Sequence, residues 1–438
     1  MSGSAIVYPA PEGLDPSPHC RVWADGREVF VHRCEVADYS IFAMTGPVEV
    51  AVEFEVGTQG ATIRPLSRDI EPEVQGGRIS FGLDSPACLS VERDDGRRPL
   101  FLFAAPPEEE APSPDAPSVR YFEAGRIHTP GLMEMRDGET IHIEGGAVVR
   151  GAVLAEDAEN VTVRGRGVLD GSDWSQDGKE RGPWLLRFVG CRGVRVQGIT
   201  AVESPRWTCP VVGCSEVAIR GLKIITWLCG RDGVDLVGSR DAIVEDCFIR
   251  AGDDCVAVKA STYRHDIGGG DVRNIRVEGC TLWNDNCGNG LEIGYETRCD
   301  SIRDVTFRDC DIIHTEFEGH QSGAALSIHN GDRAEIGDIL YEDIRIEDAQ
   351  EKLVDLKVLL AKYSRDEDRG QIGDVRFRNV RVVGGPFPVS IVRGYDEEHM
   401  IGPVTFENLR IHGQPVANAR DAHMVVELAP GVRFSTDG

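Results

Sequence analysis

The sequence has few cationic residues for its length. Its 438 residues include 47 Lys and Arg against 73 Asp and Glu, which gives a formal net charge of −26 at pH 7. Nucleic acid and anionic membrane surfaces would be repelled at long range by this charge, so neither is expected as a partner. The negative electrostatic field of this charge also mildly disfavours polyanionic substrates.

The sequence also lacks segments and motifs that would indicate a membrane, a metal or a cofactor. No apolar run is long enough to span a bilayer, and residues 1–18 lack a basic start followed by an apolar stretch, so we expect a soluble, cytoplasmic protein. The 13 cysteines form neither a CxxC pair nor the mixed Cys and His spacing of a zinc site. Neither a GxSxG elbow nor a GxxxxGKS loop occurs. We therefore expect no metal and no cofactor, and most cysteines to be reduced residues of the core.

Residues 19–105 consist of short segments in which apolar and polar residues alternate, separated by Gly, Asp and Pro turns. Segments such as VEVAVEFEV and LFLFAA are typical of strands in an antiparallel sandwich. The stretch APPEEEAPSPDAPS at residues 105–118 is acidic and proline-rich, which favours an exposed linker. The sequence thus predicts an N-terminal β-sandwich domain with its linker at residues 1–118 and a second domain at residues 119–438.

A loose repeat runs through the second part of the chain, with starts 23 to 36 residues apart, as in VRVQGIT at 194, VAIRGLK at 217 and IRVEGCT at 275. Its first and third positions are apolar throughout, and residues two apart in a strand share one face. Its fifth position is Gly, Asp or Asn, which tolerate the left-handed conformation of a sharp bend. Cys247, Cys280 and Cys310 follow this bend as small core residues. Such units stack on one another, so the pattern predicts an all-β fold with a parallel β-helix.

Two adjacent carboxylates stand in the segment RAGDDCVAVK, where Asp253 and Asp254 lie between a glycine and a predicted strand. Asp232 precedes Asp253 by 21 residues, close to the 25-residue offset between the repeat starts at 217 and 242. It is therefore expected one coil away, near the pair. Three carboxylates in one patch cannot all ionise easily, because each charge raises the pKa of its neighbours. A protonated acid beside ionised partners suits the cleavage of a glycosidic bond.

At these residues the chain resembles a known family. The segments SPRWTCPVVGCSEVAIRGLKIITW, RDGVDL, GDDCVAVK and CGNGLEIG resemble the core of the polygalacturonase-like glycoside hydrolases of family 28, and the front sandwich resembles that of the dextranase-like enzymes of family 49. The resemblance covers residues 119–420 in rhythm and is specific between residues 181 and 296. It implies a right-handed, single-stranded parallel β-helix that hydrolyses O-glycosidic bonds with inversion. By position it makes Asp232, Asp253 and Asp254 catalytic, with Asp253 as the general acid and the other two holding and deprotonating the water.

Two departures from the family pattern concern the substrate. Gly288, Asn289 and Gly290 replace the family's Gly-His-Gly, so its histidine is missing. No Arg or Lys stands in GAALSIH at residues 323–329, where the family's Arg-Ile-Lys grips the carboxylate of galacturonate. With a charge of −26, these departures favour a neutral oligo- or polysaccharide over a uronic acid polymer.

Several polar and aromatic residues near the aspartates are candidates for binding the carbohydrate, because such side chains orient sugar rings by hydrogen bonding and stacking. The candidates are Asn289, Glu292, Tyr295, Glu296, Trp207, Lys259 and His329. Some of these residues could instead have a purely structural role. Glu292 could be a solvated strand residue. Trp207 and Trp283 could be platforms for sugar rings or could pack against loops, and Lys259 could support the carboxylates. Asp235 is interpreted as a brace of the RDGVD turn.

Other functions fit the same sequence. A transglycosylase or cyclising transferase would use the same carboxylates with an acceptor hydroxyl in place of water. A non-catalytic glycan-binding β-helix would have no reason to gather three acids at one height. A polysaccharide lyase is less favoured, because it needs a strong base beside a uronate. The sugar, its linkage, endo or exo action and homo-oligomerisation stay open.

Overall fold

The computed structural model of the chain describes residues 4–94, 96, 98–174, 182–262, 266–315 and 323–436. These residues fold mainly into β-strands, with short 3-10 helices at Leu66–Arg68 and Asp266–Gly269. None of the described helices has the length and apolar character needed to cross a membrane.

Two sheets at the front of the chain pack on each other as a β-sandwich. One sheet contains Ala5–Val7, Val31–Arg33, Asp38–Met44, Ala61–Arg64, Ala87–Arg93 and Leu100–Ala105. The other contains Cys20–Ala24, Arg27–Val29, Val48–Phe54, Glu73–Gln75 and Arg78–Leu83. Among the described strands the pairing is antiparallel, apart from the parallel pair Asp38–Met44 and Leu100–Ala105. The inward-facing side chains of both sheets, such as Val22 and Leu89, form one core.

The rest of the chain winds into a β-helix of parallel strands, and three ladders run along it. The first, the repeat sheet, contains Val119–Phe122, Thr140–Ile143, Thr162–Gly165, Arg192–Gln197, Ser215–Arg220, Arg240–Glu245, Val272–Glu278, Ser301–Arg308, Glu335–Glu342, Gln371–Ile372, Val375–Arg378, Val404–Glu407 and Val432–Ser435.

The second and third ladders together form one 21-stranded sheet. The site ladder contains Leu186–Val189, Cys209–Val212, Val234–Val237, Val256–Ala260, Leu291–Thr297, Ala324–Asn330, Lys352–Val358, Val389–Arg393 and Met424–Glu427. The domain ladder contains Val168–Asp170, Thr200–Val202, Lys223–Ile225, Phe248–Ala251, Thr281–Asn284, Asp311–Thr315, Arg345–Ile346, Arg381–Val382 and Arg410–Ile411. Ile127–Met135 and Val148–Glu156 lie where these two ladders begin, and Gln414–Pro415 pairs antiparallel near the end.

The repeat positions occupy the places that the sequence predicts and their strands pair in parallel, which confirms the parallel β-helix. Connections between parallel strands of one sheet are right-handed, as the sequence analysis expects. The first and third positions are buried in all nine copies, namely Val161, Val163, Val194, Val196, Val217, Ile219, Ala242, Val244, Ile275, Val277, Val305, Phe307, Ile339, Tyr341, Val375, Phe377, Val404 and Phe406. The fifth position has a positive φ, between 50° and 132°, in every copy. The bends therefore use the left-handed conformation that Gly, Asp and Asn tolerate. The three cysteines after the bends are buried and free.

The sandwich packs against the domain ladder through aromatic side chains. The rings of Phe101 and Phe103 lie 4.9 and 5.2 Å from the ring of Phe248. Trp283 meets Phe101 edge-on at 5.7 Å, so it packs at this contact and is not a platform for sugar. The repeat sheet begins at Val119, and the domain boundary at residue 118 stays a prediction.

A histidine at the same contact is expected to make stability depend on pH. The ring nitrogens of His314 lie 3.1 Å from Glu92 Oε2 and 3.0 Å from Asp348 Oδ2. Burial acts to lower the pKa of His314, as does Arg64, but hydrogen bonds to Asp348 and Glu92 prevail and raise it to about 9. Because this pKa exceeds the unfolded value of about 6.5, the stabilisation is complete below pH 6.5 and is lost as the pH rises through about 9.

We therefore expect the free energy of unfolding to fall by roughly 2 kcal/mol or more between pH 6.5 and pH 9.5. Urea unfolding of the wild type and of His314→Gln measures this difference. The variant should lose a distinctly smaller amount over the same pH range, whereas His19→Gln, at an exposed position, should behave like the wild type. An equal fall in His314→Gln and the wild type would show that His314 does not contribute.

Candidate active site

Two loops that lead into neighbouring strands of the site ladder carry the three aspartates. Asp232 precedes Val234–Val237, and Asp253 and Asp254 precede Val256–Ala260, which pairs with it in parallel. The structure brings the three side chains together. The Nζ atom of Lys259 lies 3.1 Å from Asp232 Oδ2 and 3.9 Å from Asp254 Oδ2.

Lys259 is buried beneath these carboxylates. Its Nζ atom also lies 2.9 Å from Asp235 Oδ1 and 4.5 Å from the ring centre of Trp207. Burial acts to lower the pKa of Lys259, but the charges of Asp235 and Asp232 prevail and hold it well above its usual value. Lys259 therefore stays charged and supports the carboxylates. Asp235 pairs with this lysine and does not brace the turn through backbone hydrogen bonds, which corrects the interpretation from the sequence.

Asp253 is the most accessible of the three aspartates. It is half-buried, whereas Asp232 and Asp254 are 3% and 7% exposed. Its Oδ2 accepts a hydrogen bond of 2.6 Å from the N–H of Gly230, and its Oδ1 accepts one of 3.1 Å from the N–H of Asp254. Burial, and then the charge of Asp232, raise the pKa of Asp253 to about 7. Below neutral pH this carboxyl thus holds a proton at a position that a ligand can reach.

Asp254 is oriented by Asn289. Its Oδ1 accepts hydrogen bonds from the backbone N–H and from Nδ2 of Asn289, at 2.9 and 3.0 Å. The Oδ1 of Asn289 accepts a hydrogen bond of 3.1 Å from the N–H of Ala324. Burial, and then the charge of Asp253, hold the pKa of Asp254 above its usual value. Asn289 is fully buried, so in this structure it orients a carboxylate and is not exposed to a substrate.

A disulfide that the sequence analysis missed lies beside Asp253. Cys229 is bonded to Cys287, and Asp253 Oδ2 lies 3.1 Å from Cys287 Sγ. The bond ties the loop before Asp232 to the loop that carries Asn289. The signal in the sequence is position, because both cysteines stand outside the repeat column that contains Cys247, Cys280 and Cys310. The eleven other cysteines are free, and all but Cys88 are buried.

This disulfide is relevant to two expectations from the sequence, the absence of a metal and the cytoplasmic location. The two sulfurs and the Asp253 carboxylate lie within 4.8 Å of one another, but sulfurs joined in a disulfide are not thiolate ligands for a metal. Disulfides are typical of oxidising compartments, so the cytoplasmic location stays a prediction.

The backbone at Gly288 approaches the aspartate pair closely. Gly288 has a φ of +81°, and an added Cβ would lie 2.5 Å from Asp253 Oδ1 and from the backbone nitrogen of Asp254. Gly288→Ala is therefore expected to displace the pair and to lower kcat/KM by about 10²-fold. Gly413→Ala is the matched control, because Gly413 has a φ of +77° and no atom within 4 Å of the added Cβ. Steady-state kinetics of both variants checks this, and equal effects would contradict the steric explanation.

Glu292 and His329 are fully buried and are hydrogen-bonded to each other. The Nδ1 of His329 lies 2.9 Å from Glu292 Oε1, and its Nε2 lies 3.3 Å from Asp355 Oδ2. Burial acts to lower the pKa of His329, but Glu292 and Asp355 raise it to about 9. The ring of Tyr295 stacks on His329 with the centres 4.3 Å apart. The structure therefore places Glu292 and His329 beneath the surface, away from an exposed substrate position.

Tyr295 and Glu296 are half-buried and lie closer to the surface. Glu296 lines a cavity of about 230 Å³ together with Arg298, Asp332 and Arg365. Its charge also acts to raise the pKa of Lys259. Trp207 is 8% exposed and faces Lys259, which leaves little of its ring for stacking on a sugar.

The model of the family described as glycosyl hydrolases family 28 matches residues 140–419. The chain belongs to this family. The resemblance inferred from the aspartate motifs is thereby confirmed.

Curated relatives of this family 28 protein are similar over less than half of this chain. A probable polygalacturonase of Arabidopsis thaliana is 25% identical over 209 residues, which cover 46% of this chain and 42% of the relative. A polygalacturonase of Juniperus ashei is 27% identical over 205 residues, covering 43% of this chain and 38% of the relative. The chain thus spans about two fifths of the length of these relatives.

Solved structures share the fold of this family 28 protein at low identity. Dex49A from Penicillium minioluteum has a TM-score of 0.64 at 13% identity, and covers 98% of this chain and 96% of its own. The exopolygalacturonase from Thermotoga maritima has a TM-score of 0.55 at 18% identity, and covers 68% of this chain and 85% of its own. At these identities the similarity shows the fold alone.

Proposed function

We propose that this family 28 protein hydrolyses O-glycosidic bonds with inversion, with Asp253 as the general acid. The observation that carries the proposal is the position of the half-buried Asp253 beside the buried Asp232 and Asp254, where burial and the charge of Asp232 raise its pKa to about 7. A catalytic acid works best when its pKa lies near the working pH. Asp232 and Asp254, which share Lys259, provide carboxylates beside it.

In the proposed reaction Asp253 donates its proton to the glycosidic oxygen as the bond from that oxygen to the anomeric carbon breaks. Asp232 and Asp254 hold a water molecule on the opposite face of the sugar ring. One of them accepts its proton as the water oxygen bonds to the anomeric carbon. An inverting enzyme leaves about 6.5–9.5 Å between its carboxyl groups for this water. Lys259 limits the repulsion among the carboxylates, because its Nζ lies within 4 Å of Asp232, Asp235 and Asp254.

We further propose that the sugar at the cleaved bond is neutral. In the strand Ala324–Asn330, where the family pattern places an Arg and a Lys, the cationic side chain is His329. Its charge faces Glu292 and Asp355, and it is fully buried. Lys259 is likewise buried and paired with carboxylates. Neither side chain therefore offers an open cation to a uronate.

A galacturonate-containing chain is the second candidate substrate. Curated relatives carry the name polygalacturonase, and Arg298 and Arg365 line the cavity beside Glu296. A guanidinium group in this cavity suits a carboxylate on the sugar. Arg298 is, however, paired with Asp366 at 2.9 Å.

The test is a screen of neutral and uronic oligosaccharides in which NMR resolves the anomers of the first product. The proposal expects cleavage of a neutral oligosaccharide, with the product in the anomeric configuration opposite to that of the substrate. Retention would overturn inversion, and strict dependence on uronates would replace the neutral substrate with the acidic one. A transfer product formed in place of the free sugar would indicate a transglycosylase. Binding without any product would indicate the non-catalytic alternative.

A further inference from the structure

A second cavity, of about 500 Å³, lies where the sandwich meets the β-helix. Arg68, Cys88 and Pro106 line its sandwich side, and Gly198 and Lys223 line its β-helix side. Its volume falls within the range of about 300–1,000 Å³ that is usual for small-molecule sites.

This interdomain cavity is distinct from the aspartate site. Cys247 lines it and directly precedes the strand Phe248–Ala251, whereas Asp253 and Asp254 follow the other end of the same strand. The cavity therefore lies where the repeat sheet bends into the domain ladder. The interdomain cavity has no role in the proposed hydrolysis.

The interdomain cavity is cationic in a chain whose net charge is −26. Arg68, Arg166, Arg220 and Lys223 line it, against the carboxylate of Asp246. Arg220 is paired with Glu245 at 2.6 Å. Arg166 instead donates hydrogen bonds to the backbone carbonyl oxygens of Gly165 and Pro106. Because a carbonyl oxygen carries no net charge, these bonds do not neutralise the guanidinium.

Lys223 supplies the most specific evidence for a ligand. Its side chain is 3% exposed, and among the described residues its Nζ donates one hydrogen bond, of 2.9 Å, to the carbonyl oxygen of Gly198. An ammonium group has three N–H donors, and leaving such donors unpaired in a buried position is unfavourable. Burial lowers the pKa of Lys223, and the charge of Arg166 acts in the same direction. An anion in the cavity would accept the open N–H groups and offset this repulsion.

We propose that the interdomain cavity binds a small anion of about monosaccharide size through a carboxylate or phosphate group. Lys223 and Arg68 contact the charged group, because ammonium and guanidinium donors suit such oxygens. Ala87, Ala104 and Pro106 provide apolar surface for the rest of the ligand. This binding is independent of the proposed hydrolysis.

Calorimetric titration of the full chain with inorganic phosphate, D-galacturonate and D-galactose at low salt tests the proposal. At least one of the two anions should bind, and D-galactose should not. Lys223→Met should weaken anion binding by about tenfold or more, and Arg68→Gln by several-fold. Arg78→Gln, which removes an exposed cation elsewhere on the sandwich, should leave the affinity unchanged. Asp253→Asn should bind the anion like the wild type, which separates this cavity from the aspartate site.

Alkylation of Cys88 gives a second measurement that needs no variant of the buried lysine. Cys88 lines the interdomain cavity and is the partly exposed free cysteine, whereas the others are buried. A saturating anion should slow its reaction with iodoacetamide, followed by mass spectrometry, by at least about threefold, and D-galactose should not.

The outcomes are distinct. The proposal is supported if phosphate, galacturonate or both bind to the chain and protect Cys88 from alkylation. The anion that does so identifies the preferred charged group. The proposal is overturned if neither anion binds, if binding ignores both Lys223→Met and Arg68→Gln, or if Asp253→Asn abolishes it.

Discussion

Asp253→Asn is expected to lower kcat/KM for glycoside hydrolysis by about 10²–10⁴-fold while the substrate still binds. The amide keeps the shape of the side chain and can still accept the hydrogen bond from Gly230, but it has no acidic proton for the leaving oxygen. The measurements are the release of reducing ends and calorimetric binding of the same oligosaccharide.

Asp304→Asn is the matched control for this substitution. Asp304 is an exposed residue of the strand Ser301–Arg308 with a φ of 55°, which asparagine tolerates, so hydrolysis should be unchanged. Hydrolysis by Asp253→Asn at the wild-type rate would remove Asp253 from the mechanism. A parallel loss of binding and activity would assign Asp253 to substrate binding.

Lys259→Met is expected to have the largest effect on stability, a loss of about 3–5 kcal/mol in the free energy of unfolding. The substitution leaves Asp232 and Asp235, which are 3% and 0% exposed, without the ammonium that lies about 3 Å from each. Because the charge of Lys259 acts to lower the pKa of Asp253, removing it should also raise that pKa. Urea unfolding near neutral pH measures the loss.

Lys362→Met controls for the removal of a lysine, because Lys362 is exposed, and its effect should be small. The double variant with Asp235→Asn should recover part of the stability lost in Lys259→Met, since the buried amide is neutral at every pH and needs no ammonium beside it. Lys259→Met unfolding at the wild-type urea concentration would contradict the view that this lysine balances the buried acids.

The fold could be predicted because its signal repeats. Apolar residues two apart define the inward face of each rung, and a residue that tolerates positive φ follows at a fixed offset. At Asn379 and Asn408 the φ is 55°, as this offset predicts. Repetition over nine rungs compensates for the weakness of each single signal.

The details of the candidate site could not be predicted in the same way, because they depend on the register between rungs. His329 and Glu292 are 37 residues apart in sequence, yet the parallel register sets their strands side by side and buries both. The pairing of Lys259 with Asp235 likewise follows from two adjacent strands. Because the rungs differ in length, a single sequence does not show this register. For the same reason the sequence could not show that the loops carrying Cys229 and Cys287 lie side by side, and the disulfide was not predicted.

The pH dependence of kcat/KM tests most directly whether the surrounding carboxylates and burial keep Asp253 protonated near neutral pH. A general acid must hold its proton, so activity should fall as the pH rises through an apparent pKa of about 7, the value for Asp253. That apparent value belongs to the interacting carboxylates as a group. A decline centred near pH 4, the usual range of a carboxyl group, would contradict the account.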